Sequence, residues 1–146
     1  MSTRIVIQKM EPEAYKAMYS MGKYLSHTDL GANLKELIKI RASIINGCAY
    51  CIQSHTTDAL KLGEPVQKLF ALSAWWESPL FDESEKAILK LTDEVTNISN
   101  GGVLNDTYAK VLEYFNENQL AQIIMQISDI NSWNRIAIST HMTHEK

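Results

Sequence analysis

Nine residues supply all the strong backbone punctuation in this chain: six glycines and three prolines in 146 positions. That is roughly half the usual share, and a chain with so few breaks does not turn often enough to build many short strands. Long helices are the expected outcome, and an all-β architecture is excluded. Length sets a second bound. A chain of 16.5 kDa folds to a surface of roughly 7,500 Å² against about 24,000 Å² when extended, so it can bury a core without disulfide or metal staples. With 45% hydrophobic and 21% charged residues and no low-complexity stretch, residues 1–146 read as one globular domain.

The breaks and the 3.6-residue apolar period together predict about six or seven helices. The first nine residues alternate weakly around Ile5 and Ile7 and are expected as an extended arm. Pro12 opens a helix to about Leu25. Asn33 and Glu36 have capping-box spacing ahead of Leu37, Ile38, Arg41, Ile44 and Ile45, and this helix should stop at Asn46-Gly47. A third helix is expected from about Cys48 to Leu62, ending at Gly63, and a fourth from Pro65 to Trp75-Trp76. Pro79 then separates a helix that begins at the capping pair Asp82 and Glu85 and carries Ala87, Ile88, Leu91 and Val95. After the break at Asn100-Gly101-Gly102 come a short helix from about Asp106 to Phe115 and a long one. The long one is capped near Asn116 and carries Leu120, Ile123, Ile124, Ile127, Ile130 and Ala137 on one face to about Thr140. The predicted fold class is an all-α, single-domain helical bundle.

The net charge of −3, from 14 basic and 17 acidic residues spread along the chain, offers no electropositive stripe, so nucleic acid is not an expected partner. The start, MSTRIVIQKMEPEA, lacks the apolar segment of a secretory signal. No apolar run approaches the roughly 18 residues needed to span a bilayer, so no membrane partner is expected and the default location is cytoplasmic. In a reducing compartment a cysteine pair points to redox or metal chemistry rather than to a permanent staple.

Both cysteines fall in one C-x-x-C, Cys48 and Cys51, and His55 follows Cys51 by four residues on the same helix face. The break at Asn46-Gly47 puts both thiols in the first turn of a new helix, where unsatisfied N–H groups and the positive dipole end favour thiolate. An adjacent imidazole can take or return the proton. The short spacing lets one sulfur condense with a sulfenic acid on the other before over-oxidation, giving a reversible cycle. Two plainer readings compete. Cys48, Cys51 and His55 could be zinc ligands, with a fourth from Glu36, His27 or a distant histidine. The cysteines could instead be small buried hydrophobes, with His55 on the surface. The redox reading is preferred, so no metal is expected. No flavin or nicotinamide fingerprint is present, so no cofactor is expected and electrons must come from outside. Glu36 reads as a capping residue; placed beside the thiols in a buried site, its pKa should rise. Trp75, Trp76 and Trp133 are expected in the core or at subunit contacts, and His141 and His144 in a solvated tail.

The run Glu36-x11-Cys48-Ala49-Tyr50-Cys51-x3-His55 resembles the signature of the alkylhydroperoxidase D (AhpD)-like branch of the carboxymuconolactone decarboxylase superfamily. Ala74-Trp75-Trp76, Glu85-Lys86-Ala87, Val95-Thr96 and Ile130-Asn131-Ser132-Trp133-Asn134-Arg135 also resemble its small single-domain members, so the similarity spans about residues 34–138. The resemblance implies an all-helical fold assembled as a homotrimer or hexamer. It also implies a thiol peroxidase or disulfide reductase that reduces hydrogen peroxide or organic hydroperoxides in antioxidant defence. The roles it implies are Cys51 as the attacking thiolate, Cys48 as the resolving thiol, and Glu36 and His55 as a proton relay. The electron donor it implies is an external dithiol, a lipoyl group or a thioredoxin-like protein. The residues alone leave open which sulfur attacks, because the helix dipole favours Cys48 and the imidazole one turn on favours Cys51. Tyr50 stands where the family's best-known peroxidase has a histidine, which removes a second imidazole from that place. The superfamily's other namesake activity, decarboxylation of a γ-carboxymuconolactone-type acid, is the alternative expectation, and its proton chemistry does not require a cysteine pair.

Overall fold

A computed structural model describes residues 4–144. Among these residues there are eight α-helices and no strand: α1 (Ile7–Met10), α2 (Pro12–Ser26), α3 (Ala32–Asn46), α4 (Ala49–Lys61), α5 (Val66–Ala71), α6 (Glu83–Thr96), α7 (Asn105–Leu112) and α8 (Glu117–Thr140). A 3-10 stretch, Leu72–Glu77, joins α5 to α6. The all-α single domain is as expected. The count exceeds the predicted six or seven because the supposed extended arm contains α1. The amides of Lys9 and Met10 close a helical turn on the Val6 carbonyl at 3.0 and 3.1 Å. Pro12 ends that turn, because the residue before a proline is pushed out of the helical region, and Glu11 sits at φ −132°, ψ 69°. Expectations for Met1, Ser2 and Thr3 lie outside the described residues.

Helix α3 runs through the middle and touches α4, α6 and α8. It is buried almost all round from Lys35 to Ser43, so it serves two apolar clusters at once. Ile38 packs with Ile88, Leu91, Leu120, Ile123 and Ile127 toward α6 and α8. Leu37 and Ile40 pack with Leu69, Leu72, Trp75 and Leu89 on the other side. Burial of each such side chain contributes about 1.5–3 kcal/mol. The rim between the clusters is fastened by Arg41, whose Nε and Nη2 donate to the two Asp93 carboxylate oxygens at 2.7 and 3.1 Å.

Two sequence expectations for this region fail for identifiable reasons. The Asn33–Glu36 capping box does not form, because α3 starts at Ala32 with Gly31 as its N-cap and no side-chain cap bond. Glu36 is therefore the fifth residue of the helix, and its carboxylate bonds to Lys39 and His55 instead of to the helix start. Asn33 instead donates to Glu64 Oε1 at 2.8 Å. The single helix from Pro65 to Trp76 is also broken, at Ala74 (φ −139°, ψ 42°). Arg41 Nη1 takes the Leu72 carbonyl at 3.1 Å, and Trp75 turns inward to donate from Nε1 to Asp93 Oδ2 at 3.1 Å. Both demands compete with a regular helical ladder.

The other boundaries follow the predicted signals. Capping boxes form at Asp82–Glu85 and Asn116–Gln119. Gly47 takes the left-handed conformation at φ 70° that ends α3, and the Cys48 amide then bonds back to the Ser43 carbonyl at 2.9 Å in a Schellman-type closure. Among the described residues no helix is long and apolar enough to cross a membrane.

Candidate active site

The turn at Gly47 reverses the chain so that α4 packs against α3, and this brings the motif residues together. Cys48 is the N-cap of α4, one position before the expected first turn. Its sulfur accepts the Cys51 amide N–H at 3.3 Å. The two sulfurs are joined in a disulfide, with a Cα–Cα distance of 5.3 Å. Both cysteines are buried, packed with Ala137 of α8 and bordered by Tyr50 and Met142.

One turn beyond Cys51, His55 meets Glu36 across the α3–α4 interface, with Nδ1 3.0 Å from Oε2. The other Glu36 oxygen accepts from Lys39 Nζ at 2.8 Å. Burial pushes the Glu36 carboxyl up, but the hydrogen bonds and charges of His55 and Lys39 outweigh it and hold the group below the usual glutamate range. The expected rise is thereby corrected: the partners that make the residue useful also keep it ionised. An ionised Glu36 fixes the ring orientation of His55 through the Nδ1 bond.

The sulfurs open onto different spaces. Cys51 and His55 line a cleft of about 590 Å³. One wall is aromatic: Tyr15 and Tyr19 of α2 stand edge-on to Trp133 of α8, with ring centroids 5.3 and 5.7 Å away. Charged groups from four helices share the cleft: Lys23, Lys39, Asp58 and Asp129. Cys48 instead lines a groove of about 390 Å³ between the start of α4 and the end of α8, bordered by Ile138, His141 and Met142.

Sequence reasoning missed three of these features. Trp133 walls the cleft rather than filling core. His144 is not simply solvated: its Nε2 lies 2.9 Å from the Tyr50 carbonyl oxygen and 3.2 Å from Ser54 Oγ, and its ring stacks on Tyr50 with centroids 4.1 Å apart. An imidazole thus returns beside Tyr50 from the far end of the chain. Asp129 of α8 was not singled out at all. One of its carboxylate oxygens, Oδ1, is buried without a hydrogen-bond partner. The only signal in the sequence is its register, since Asp129, Trp133 and Ala137 are spaced four apart and so share a helix face.

Beneath the motif, side-chain amides tie α3 to α8. Asn46 Nδ2 donates to both Asn131 Oδ1 and Asn134 Oδ1 at 2.9 Å, and Asn134 Nδ2 donates to Ser43 Oγ at 2.9 Å. These bonds set the height at which the α3–α4 turn meets α8.

A zinc site on both cysteines and His55 does not assemble here, because the sulfurs are bonded to each other. Among the described residues the group able to surround a cation is Glu36, His55 and Asp58, whose ligand atoms lie within 4.8 Å of one another. Lys39 already occupies Glu36 in that group. His27, offered as a fourth ligand, bonds instead to the Lys23 carbonyl at the end of α2, at 2.7 Å.

Comparison with known proteins agrees with this fold. The model of the carboxymuconolactone decarboxylase family matches residues 12–94. An uncharacterized protein of Bacillus subtilis, YdfG, is 41% identical over 139 residues, which is 95% of each chain. A crystal structure from Agrobacterium tumefaciens, described as a protein of unknown function and a candidate antioxidant defence protein AhpD, superposes with a TM-score of 0.96. It is 36% identical and covers 99% of both chains. An uncharacterized peroxidase-related protein from Ralstonia eutropha JMP134 with an alkylhydroperoxidase AhpD core has the same fold. Its TM-score is 0.84 at 17% identity, over 95% of this chain and 74% of that one.

Proposed function

The chain belongs to the carboxymuconolactone decarboxylase family, in its AhpD-like branch, and on that premise we propose that it is a thiol peroxidase of antioxidant defence that cycles between a dithiol and the Cys48–Cys51 disulfide. The observation that carries this reading is the placement of Cys51 and His55 together on the wall of an aromatic cleft, with Glu36 bonded to the imidazole from behind.

In the reduced chain His55 takes the proton of Cys51, and the ionised Glu36 stabilises the resulting imidazolium. The Cys51 thiolate attacks the terminal oxygen of a peroxide, forming a sulfenic acid and releasing an alcohol, or water from hydrogen peroxide. Cys48 then attacks the Cys51 sulfur, water leaves, and the disulfide closes. An external dithiol, lipoyl or thioredoxin-like, restores both thiols by exchange. Closure needs little movement, because Cys48 caps the helix on which Cys51 sits. The cleft favours organic hydroperoxides over hydrogen peroxide, since its walls of Tyr15, Tyr19 and Trp133 offer apolar area that only a larger substrate uses. The exposed apolar side chains of Phe70, Trp76 and Leu80 support a homo-oligomer, read out by light scattering.

Thiol counting tests the cycle. One equivalent of tert-butyl hydroperoxide should remove two free thiols per chain, and dihydrolipoamide should restore both. Persistence of both thiols, or an equal rate of oxidation in the Cys51→Ser variant, would overturn the reading.

A further inference from the structure

The proposed cycle provides for the proton that leaves Cys51 but not for the one the peroxide must gain. Breaking the O–O bond of an alkyl hydroperoxide releases an alkoxide, which is a poor leaving group unless a proton reaches it as the bond breaks. His55, held at Nδ1 by Glu36, is placed to take the thiol proton beside Cys51. A second acid in the same cleft, on a different element, would reach the departing oxygen directly and leave His55 to the thiol.

We propose that Asp129 is that acid: its carboxyl faces the cleft from α8 and protonates the departing oxygen while Cys51 attacks from α4. This rests on the peroxidase reading and extends it. Asp129 lines the same cleft as Cys51 and His55. Its Oδ1 is buried and accepts no hydrogen bond from the described residues. A buried carboxylate oxygen without a donor is costly when ionised, and protonation relieves that cost. Burial accordingly raises the Asp129 carboxyl to about 6, against the opposing charges of Lys39 and His55. The titratable groups that share the cleft are Lys39 on α3, His55, Asp58 and Tyr50 on α4, and Lys23, Tyr15 and Tyr19 on α2. None of them is bonded to Asp129, whereas Glu36 is paired with both His55 and Lys39.

The step balances. The Cys51 sulfur gives two electrons to the terminal peroxide oxygen, the S–O bond forms and the O–O bond breaks, and the Asp129 proton goes to the leaving alkoxide to give the alcohol. Asp129 is reprotonated from solvent, in exchange for the proton that His55 received from Cys51. The second thiol proton leaves with the hydroxyl as water when Cys48 closes the disulfide.

The test uses two oxidants that differ in leaving group. With tert-butyl hydroperoxide the leaving alkoxide needs a proton, whereas with peracetic acid the leaving carboxylate does not. The Asp129→Asn variant keeps the side-chain shape and should oxidise about 100-fold more slowly than the native chain with tert-butyl hydroperoxide and at the native rate with peracetic acid. The ratio of the two rates on one preparation is insensitive to the fraction of folded protein. An unchanged ratio, through equal losses or no loss, would overturn the role of Asp129 while leaving the cycle intact. Failure of the native chain to react with the alkyl hydroperoxide would remove the cycle itself, and this inference with it.

Discussion

Two of the buried charges on helix α3, Glu36 and Arg41, stand five residues apart, and their surroundings differ in kind. Arg41 is bonded at each of its three side-chain nitrogens: both Asp93 oxygens, the Leu72 carbonyl and, through Asp93, the Trp75 indole make up its network. Glu36 is bonded to Lys39 and His55, but its network ends at an open cleft that also holds Cys51 and the unbonded oxygen of Asp129. A closed network fixes helices and has nothing left to exchange. An open one can accept and return protons, at a cost in stability that the closed one offsets. Scaffold and chemistry are thus separated along one helix by whether each polar group finds its partner inside the protein.

Several substitutions would break or sharpen this contrast. The largest effect is expected at the sulfur: Cys51→Ser should abolish turnover with any hydroperoxide, measured by coupled consumption of dihydrolipoamide, with the melting temperature of the reduced protein little changed. His55→Gln should slow oxidation of the reduced chain by about 100-fold and shift the rise of its rate toward higher pH, followed by stopped-flow tryptophan fluorescence. On the scaffold side, Asp93→Asn leaves Arg41 buried and uncompensated, which costs about 3–5 kcal/mol and lowers Tm by about 10 °C. The oxidation rate per folded molecule should stay the same. An equal loss of rate in Asp93→Asn would mean that the two networks are not separate.

Smaller effects distinguish the two carboxylates of the cleft by sign. The Asp129 carboxyl rises from 3.8 unfolded to about 6 folded, so the folded chain holds that proton more tightly and loses stability as pH climbs through this window. Asp129→Asn should therefore raise Tm by about 3 °C at pH 7.5 and leave it unchanged at pH 3.5. Glu36 lies below its ordinary 4.5, so its contribution is present above that pH and is lost as pH falls through the lowered folded value. Glu36→Gln should lower Tm by about 3 °C at pH 7.5 and converge with the native chain near pH 3. Differential scanning calorimetry at the two pH values checks both.

What could be read from the sequence divides along the same line. Local signals were sufficient for α6 and α8, where the Asp82–Glu85 and Asn116–Gln119 boxes close within four residues, and for the turn at Gly47. They were sufficient for the juxtaposition of Cys48 and Cys51 too, because one helical turn determines it. They failed where a distant element outbids a neighbour. Glu36 had the spacing of a cap, yet α3 begins two residues earlier, with Gly31 as its N-cap, and His55 lies across the interface. The helix predicted to reach Trp76 yields to Arg41, which takes a carbonyl that the helix would have used. Trp133, Asp129 and His144 become neighbours of the motif only through the packing of α8 and the residues after it against α4, far away in the chain. No local pattern encodes such a meeting.

The most direct test of the central claim, that Cys51 in the His55 cleft is the sulfur that meets peroxide, is to trap its sulfenic acid. Cys48→Ser protein, treated with one equivalent of tert-butyl hydroperoxide in the presence of dimedone, should carry the dimedone adduct on the peptide containing Cys51, with the Cys51→Ser counterpart unlabelled. An adduct on Cys48 in Cys51→Ser protein, together with an unlabelled Cys51 in the first variant, would contradict the account.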